Sequence, residues 1–208
     1  MDMQKTVLIL AGGKSLRFQA FDKCFLSLHN KPLIQHAIDN LSNVADEIIV
    51  AVRDEQQMHK IRARIPSNIL LVCDSLKGVG PLAGILSGLE QASFPYSLVI
   101  GCDMPFVNED VVALLFEIVE RGNYNAIVPR WENGMVEPLH AVYKKEPMVA
   151  AIRAAVKQGD KMIFKALEHL EKVNFIDVNK LRAMDPDLKT FRNINTPEEL
   201  KSAHLCLK

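Results

Sequence analysis

The chain has few cysteines, a single tryptophan, no excess of either charge, and no glycine between Gly13 and Gly78; each shortage removes a class of protein. Cys24, Cys73, Cys102 and Cys206 show no Cys-x-x-Cys spacing and lie in or beside apolar segments. Buried free thiols in a reducing cytoplasm are therefore expected, not a disulfide framework or a thiolate metal site. With 25 basic and 25 acidic residues, the chain sets up no global field for nucleic acid or an anionic membrane, and no block of like charge forms a tail. No apolar run approaches membrane-spanning length, and the leading Met1-Asp2-Met3-Gln4-Lys5 precedes only a short one, so neither export nor insertion is expected. The expected partner is a small molecule, with no nucleic acid and no membrane. The glycine gap excludes the Gly-x-Gly-x-x-Gly dinucleotide fingerprint after Gly12-Gly13. Gly13-Lys14-Ser15 superficially suggests a Walker A loop, but that pattern needs a glycine where Leu8 stands.

What is present is an apolar strand that runs straight into a small-residue, cationic loop, Leu10-Ala11-Gly12-Gly13-Lys14-Ser15-Leu16-Arg17 and on to Asp22-Lys23. Gly12 and Gly13 let backbone N–H groups approach an anion, while Lys14, Arg17 and Lys23 bring charge suited to a polyphosphate. Ligands of open α/β sheets bind beyond the carboxyl ends of the strands, where this loop would lie.

The rest of the chain alternates strand and helix. Strands are expected at 5–11, 47–52, 69–73, 97–101, 126–130, 139–143 and 173–178, the sixth antiparallel after the Asn133-Gly134 turn. Helices are expected at 33–41, 55–65, 82–92, 109–121, 147–157, near 162–168, and from Pro197. Repeats, low-complexity tracts and linkers are absent from the sequence. The fold class is α/β: a three-layer α/β/α sandwich with a Rossmann-like, mostly parallel sheet and one antiparallel strand, residues 1–208 forming one domain.

Two aspartates follow strands. Asp103, directly after the 97–101 strand, is placed to hold a Mg²⁺ that bridges triphosphate oxygens, or else begins a turn before the next helix. Asp74 introduces a second glycine-rich loop, Gly78-Val79-Gly80-Pro81, which enters a helix at Pro81; as a bare signal it is a turn residue. Lys77 reads as a solvated loop charge.

Together these segments resemble the molybdenum cofactor guanylyltransferases, which make molybdopterin guanine dinucleotide on a GT-A-like nucleotidyltransferase fold. Their opening motif, Leu-Ala-Gly-Gly-x-Ser-x-Arg-Met-Gly-x-Asp-Lys, is matched at Leu10, Ala11, Gly12, Gly13, Ser15 and Arg17 and, after one additional residue, at Asp22 and Lys23. The chain departs from it at Phe18-Gln19-Ala20, so this turn has to be built without the family glycine. Gly12 in the second small position resembles the guanylyl branch, since relatives that use CTP tend to carry Leu-Ala-Ala-Gly. The resemblance implies GTP and molybdenum-molybdopterin as substrates, Mg²⁺ on Asp103, nucleotide binding by Leu10, Ala11, Gly12, Gly13, Ser15, Lys23, Asp74 and Asp103, and catalytic roles for Arg17, Lys23 and Asp103. It also implies transient contact with the proteins that supply the cofactor and the molybdoenzymes that receive it.

The same resemblance points to an acceptor site at Trp131, Pro138, His140, Lys161, Asn193 and Asn195. Each residue also has a plainer role: Trp131 as packing, His140 as a satisfied histidine of an alternating strand, Lys161 as a solvated charge, and the asparagines as turn formers. Thr196-Pro197-Glu198-Glu199 reads as a capping box at a helix start. Two further classes remain open: another nucleotidyltransferase of the same fold, using CTP or acting on a sugar or alcohol phosphate, and a GTP-binding adaptor without turnover.

Overall fold

In β1 (Thr6–Leu10), Thr6, Val7, Leu8 and Ile9 have no exposed surface. A strand covered on both faces cannot alternate apolar with polar, which is why it reads as a continuous apolar run. The structure, a computed structural model, describes residues 3–12 and 22–205. β1 pairs in parallel with β4 (Glu47–Val52) on one side and β6 (Tyr96–Gly101) on the other, Leu8 standing opposite Ile49 and Val99. A small antiparallel ribbon of β2 (Ser27–Leu28) and β3 (Lys31–Pro32) lies apart from this sheet.

β5 (Leu70–Cys73) adds in parallel beyond β4. On the far side come β7 (Ala126–Arg130), β8 (His140–Lys144) and β9 (Val173–Asp177), in the order β5-β4-β1-β6-β8-β7-β9. β8 runs antiparallel to both β6 and β7, while β7 and β9 are parallel, so the mostly parallel sheet with one antiparallel strand is observed. The cause is the short connection before β8. Gly134 (φ 85°) and Asn133, whose Oδ1 accepts from Met135 N at 3.0 Å, reverse the chain, whereas a parallel return needs a crossover.

Helices cover both faces. α1 (Leu33–Leu41), α2 (Glu55–Arg62) and α4 (Glu109–Arg121) pack on the face that carries Val7 and Ile9. α3 (Pro81–Gln91), α5 (Lys145–Lys157) and α6 (Ile163–Leu167) pack on the face that carries Leu8 and Val99. α7 (Pro197–Leu205) closes on the β2–β3 ribbon through Leu28, Leu33, Ile194 and Ala203. Among the described residues, no helix is long and apolar enough to cross a membrane. Cys24, Cys73 and Cys102 are free thiols, and Cys206 lies outside the described residues.

Several expected bounds move. α2 stops at Arg62 instead of Ile65, because Pro66 disfavours helix at the residue before it and the Arg62 guanidinium instead binds the carbonyls of Pro66, Ser67 and Ile69. The β2–β3 ribbon and the short 3₁₀ helices Val178–Ala183 and Lys189–Phe191 were not expected. The ribbon turns through His29 and Asn30 at φ 48° and 63°, a left-handed pair with no Asn-Gly to announce it.

Candidate active site

Four strands of the sheet end on one edge, and the next residues of each turn into a common cleft: Ala11-Gly12 after β1, Arg53 after β4, Asp74 after β5 and Cys102-Asp103 after β6. The ladder continues into these segments, with Ala11 N donating to Ala51 O (2.8 Å), Asp74 N to Val52 O (2.8 Å) and Cys102 N to Leu10 O (3.0 Å). The cleft encloses about 660 Å³ between Leu10, Gly12, Lys23, Arg53, Asp74, Gly80, Gly84, Asp103 and Leu139. It is large enough for a nucleotide.

Small residues make the room. A Cβ on Gly12 would stand 3.3 Å from Asp74 Oδ2, and one on Gly84 3.3 Å from Asp74 Oδ1, so the carboxylate is wedged between two glycines. Asp74 Oδ1 is buried without a hydrogen-bond partner among the described residues. Burial raises the Asp74 pKa from 3.8 to about 6; Arg53 opposes the shift and Asp54 adds to it. Gly80 caps α3 at φ 62°, a conformation that favours glycine, and Pro81 follows at the first helical position.

Lys23 and Asp103 meet at the other end of the cleft. Lys23 Nζ lies 2.9 Å from Asp103 Oδ2 and 2.5 Å from Asn195 Oδ1. The lysine and aspartate side chains keep 18% and 21% of their surface, so the pair is shielded yet within reach of a ligand. Ile194 N donates to Asp103 O at 2.9 Å, which seats the chain before α7 against the end of β6. The capping box also forms: Glu199 N donates to Thr196 Oγ1 (3.1 Å), and Thr196 N to Glu199 Oε2 (3.1 Å). Gly13, Ser15 and Arg17, together with Lys14 and Phe18-Gln19-Ala20, lie outside the described residues.

The expected acceptor residues separate. Trp131 is half-buried, donates Nε1–H to Glu137 Oε1 at 2.7 Å and packs edge-on against Phe191. The Pro138 carbonyl accepts from Tyr143 Oη at 2.8 Å. Lys161 is exposed, and its carbonyl oxygen lies 3.5 Å from where a Cβ on Gly80 would stand, beside the cleft-lining loop. Asn193 is half-buried, two residues before the Asn195 that holds Lys23.

His140 corrects the expectation of a ligand contact. It has no exposed surface; its Nε2 lies 3.2 Å from Thr190 Oγ1, and its ring meets Phe191 edge-on. The Thr190 hydroxyl oxygen also receives Asn108 N–H at 3.1 Å, and His140 Nδ1 is buried without a hydrogen-bond partner among the described residues. Burial drives the His140 pKa down from 6.5 to about 3. A neutral imidazole joining β8 to the 189–191 turn is a core element, with no surface to offer a substrate.

Sequence reasoning missed Arg53 and Gln57. Arg53 lines the cleft and binds Asp54 (Nε to Oδ2, 2.9 Å) and Asp22 (Nη1 to Oδ1, 3.3 Å). Burial opposes the guanidinium charge, but these carboxylates outweigh it and raise its pKa. Its signal was available, because it is the first residue after a central strand, as Asp74 is. Gln57 is fully buried although it sits on a helix that reads as polar, and nothing in the sequence reports that.

Among the described residues no group of three or more His, Cys, Asp or Glu forms a ready-made metal centre. Asp103 alone suits a Mg²⁺ that takes one or two carboxylates and fills its remaining positions with water and substrate phosphate.

Comparison with known proteins agrees with this geometry. Residues 7–173 match the family described as MobA-like NTP transferase domain. A probable molybdenum cofactor guanylyltransferase from Methanosarcina mazei is 38% identical over 202 residues, covering 95% of this chain and 89% of that one. A molybdenum cofactor guanylyltransferase from Desulfosudis oleivorans is 34% identical over 203 residues, covering 98% and 96%. Among solved structures, molybdopterin-guanine dinucleotide biosynthesis protein A from Archaeoglobus fulgidus superposes with a TM-score of 0.84 at 33% identity, covering 96% of this chain and 97% of that one. A 2-C-methyl-D-erythritol 4-phosphate cytidylyltransferase from Thermus thermophilus, 22% identical with a TM-score of 0.68, shares the fold. The strand-end cleft and these likenesses over nearly the whole length lead to one conclusion: the chain belongs to the MobA-like NTP transferase family and is a nucleotidyltransferase.

Proposed function

We propose that this chain, acting as one domain, transfers GMP from GTP to the terminal phosphate of molybdenum-molybdopterin, giving the guanine dinucleotide cofactor and pyrophosphate. The observation that carries the reading is the Lys23–Asp103 pair at the end of the cleft lined by Gly12, Asp74 and Gly80. It is supported by the names of the relatives.

The acceptor phosphate and the α-phosphorus of GTP both carry negative charge, and their approach is possible only where cations and N–H dipoles offset the repulsion. Lys23, held by Asp103 and Asn195, provides an ammonium of fixed position. On the family resemblance, Arg17, Gly13 and Ser15 join Gly12 around the triphosphate. Mg²⁺ held by the Asp103 carboxylate would supply further charge neutralisation at the phosphates. A phosphate monoester is already ionised near neutrality, so no general base is required, and in-line attack needs only positioning and charge stabilisation. Asp74 faces the nucleotide between its two glycines. On the family resemblance, Asn195, beside Lys23, belongs to the acceptor side, with Trp131, Pro138, Lys161 and Asn193 as separate candidates outside the cleft lining.

The test is incubation with Mg²⁺, molybdenum-loaded molybdopterin and each nucleoside triphosphate in turn, with detection of dinucleotide and pyrophosphate. Dinucleotide from GTP is expected. Product from CTP alone would overturn the choice of base, and nucleotide binding without any product would overturn the activity.

A further inference from the structure

One buried amide joins three of the segments that line the cleft. Gln57 Nε2 donates to Ala11 O at 2.8 Å and to Asp22 Oδ1 at 3.3 Å, while its Oε1 accepts from Arg53 N at 2.8 Å. The two N–H groups and the carbonyl of the side chain are thus all engaged. Gln57 has no exposed surface.

The helix start does not need this side chain. The start of α2 is already capped by Asp54, whose Oδ1 accepts from Gln57 N at 2.8 Å, a backbone contact that any residue at this position keeps. A buried amide is costly unless every polar atom is matched, so a residue of this kind specifies the geometry of its partners. Those partners are informative. Ala11 precedes the cleft-lining Gly12, Asp22 precedes Lys23, and Arg53 lines the cleft itself. Asp22 is only 10% exposed and receives Arg53 Nη1 at 3.3 Å, with Lys60 Nζ at 3.9 Å, so the amide sits within a charged cluster.

We infer that Gln57 is a positioning residue for nucleotide binding, fixing the spacing between the end of β1, the Asp22-Lys23 segment and Arg53 by donating to both Ala11 O and Asp22 Oδ1 and accepting from Arg53 N. It touches no substrate; it acts through Gly12, Lys23 and Arg53. The inference rests on the nucleotidyltransferase reading for its ligand, but not on the identity of the acceptor.

The test reverses the polarity of one bond. Gln57→Glu keeps volume and the acceptor for Arg53 N, yet turns a carboxylate toward Ala11 O and the Asp22 carboxylate. Asp22→Asn removes that repulsion and offers an amide that can donate to the introduced carboxylate. GTP affinity is measured by calorimetry on the purified wild type, both single variants and the double variant, each with its thermal midpoint. Gln57→Glu is expected to weaken GTP at least tenfold, and the double variant to bind at least fivefold better than the product of the single effects predicts. A loss under twofold for Gln57→Glu, or coupling under fivefold, overturns the inference.

Gln57→Met, similar in size and uncharged, separates positioning from simple loss of folded protein. A lower folded fraction reduces apparent kcat and leaves KM unchanged, whereas mispositioning raises KM for GTP at least tenfold and leaves KM for the acceptor within twofold. A change in kcat alone counts against the inference. Calorimetry needs no turnover, so absence of dinucleotide product would overturn the proposed function and leave this result standing. If the wild type binds CTP and not GTP, the same cycle is read with CTP.

Discussion

Lys23 Nζ lies 2.9 Å from Asp103 Oδ2, joining residues 80 positions apart and setting a cation and a carboxylate side by side at the end of the cleft. Asn195 Oδ1 holds the same ammonium from the segment before α7. Asp103→Asn removes both the anion that fixes Lys23 and the candidate Mg²⁺ ligand. Pyrophosphate release from GTP plus acceptor is expected to slow by about 10²–10³-fold, the usual loss on deleting one preorganised electrostatic group. Steady-state kinetics at saturating Mg²⁺ would check it, and retention of most activity would remove Asp103 from the mechanism.

Asp74 should leave a pH signature in stability. Its folded pKa, about 6, lies above the ordinary 3.8, because burial disfavours the anion. The native state therefore binds the proton more tightly than the unfolded chain. This contribution is fully present below about pH 4 and is lost as pH rises toward 6. Asp74→Asn cannot ionise, so its stability relative to wild type should increase between pH 4 and 6 and level off above. Urea unfolding of both proteins across this window would show it, and a flat difference would place Asp74 in water.

His140 predicts the opposite dependence. Burial lowers its pKa from 6.5 to about 3, so the unfolded chain takes up a proton that the native state refuses. Stability is retained above pH 6.5 and lost as pH falls toward 3. Wild type should lose about 1.4 kcal/mol per pH unit more than His140→Leu in this interval. Chemical denaturation at pH 7, 6 and 5 measures the divergence, and parallel curves would show the imidazole to be protonated in the fold.

Gly88 tests the packing beneath the site. On α3 it faces Leu8 of β1, and an added Cβ would come within 2.2 Å of Leu8 Cδ1. Leu8 is fully buried, so it has little room to withdraw. Gly88→Ala should raise helix propensity and still destabilise the protein by about 1–3 kcal/mol through overpacking. Thermal unfolding would detect a drop of several degrees; an unchanged midpoint would mean that Leu8 repacks freely.

The alternation of strand and helix was legible because hydrophobic runs and punctuation by Gly, Pro and Asn are local signals. β4, α1, α4 and β7 fall where the sequence places them, and most other bounds move by one to three residues. Asp103 also stood out in the sequence, since a polar residue directly after a buried strand has only the sheet edge to face. Arg53 obeys the same rule and was passed over. Gln57 had no such signal: on a helix as polar as Glu55–Arg62, a glutamine reads as surface. Trp131 and His140 were ambiguous for the same reason, and Phe191, Glu137 and Thr190, distant or separately folded partners, absorb them into the structure.

The sequence by itself determined the class of fold, the strand-to-loop junctions and the charged residues available for phosphate chemistry, because each depends on neighbours a few positions away. Only the tertiary structure decided that β8 is inserted between β6 and β7, that Asp74 is wedged between Gly12 and Gly84, and that Lys23 is shared by Asp103 and Asn195. Burial and hydrogen-bond partnership depend on segments far apart in the chain, and these are set when the two faces of the sheet are covered. The small-residue loop after β1 therefore marked a candidate anion site in the sequence, while the fold set the Asp74 carboxylate beside Gly12.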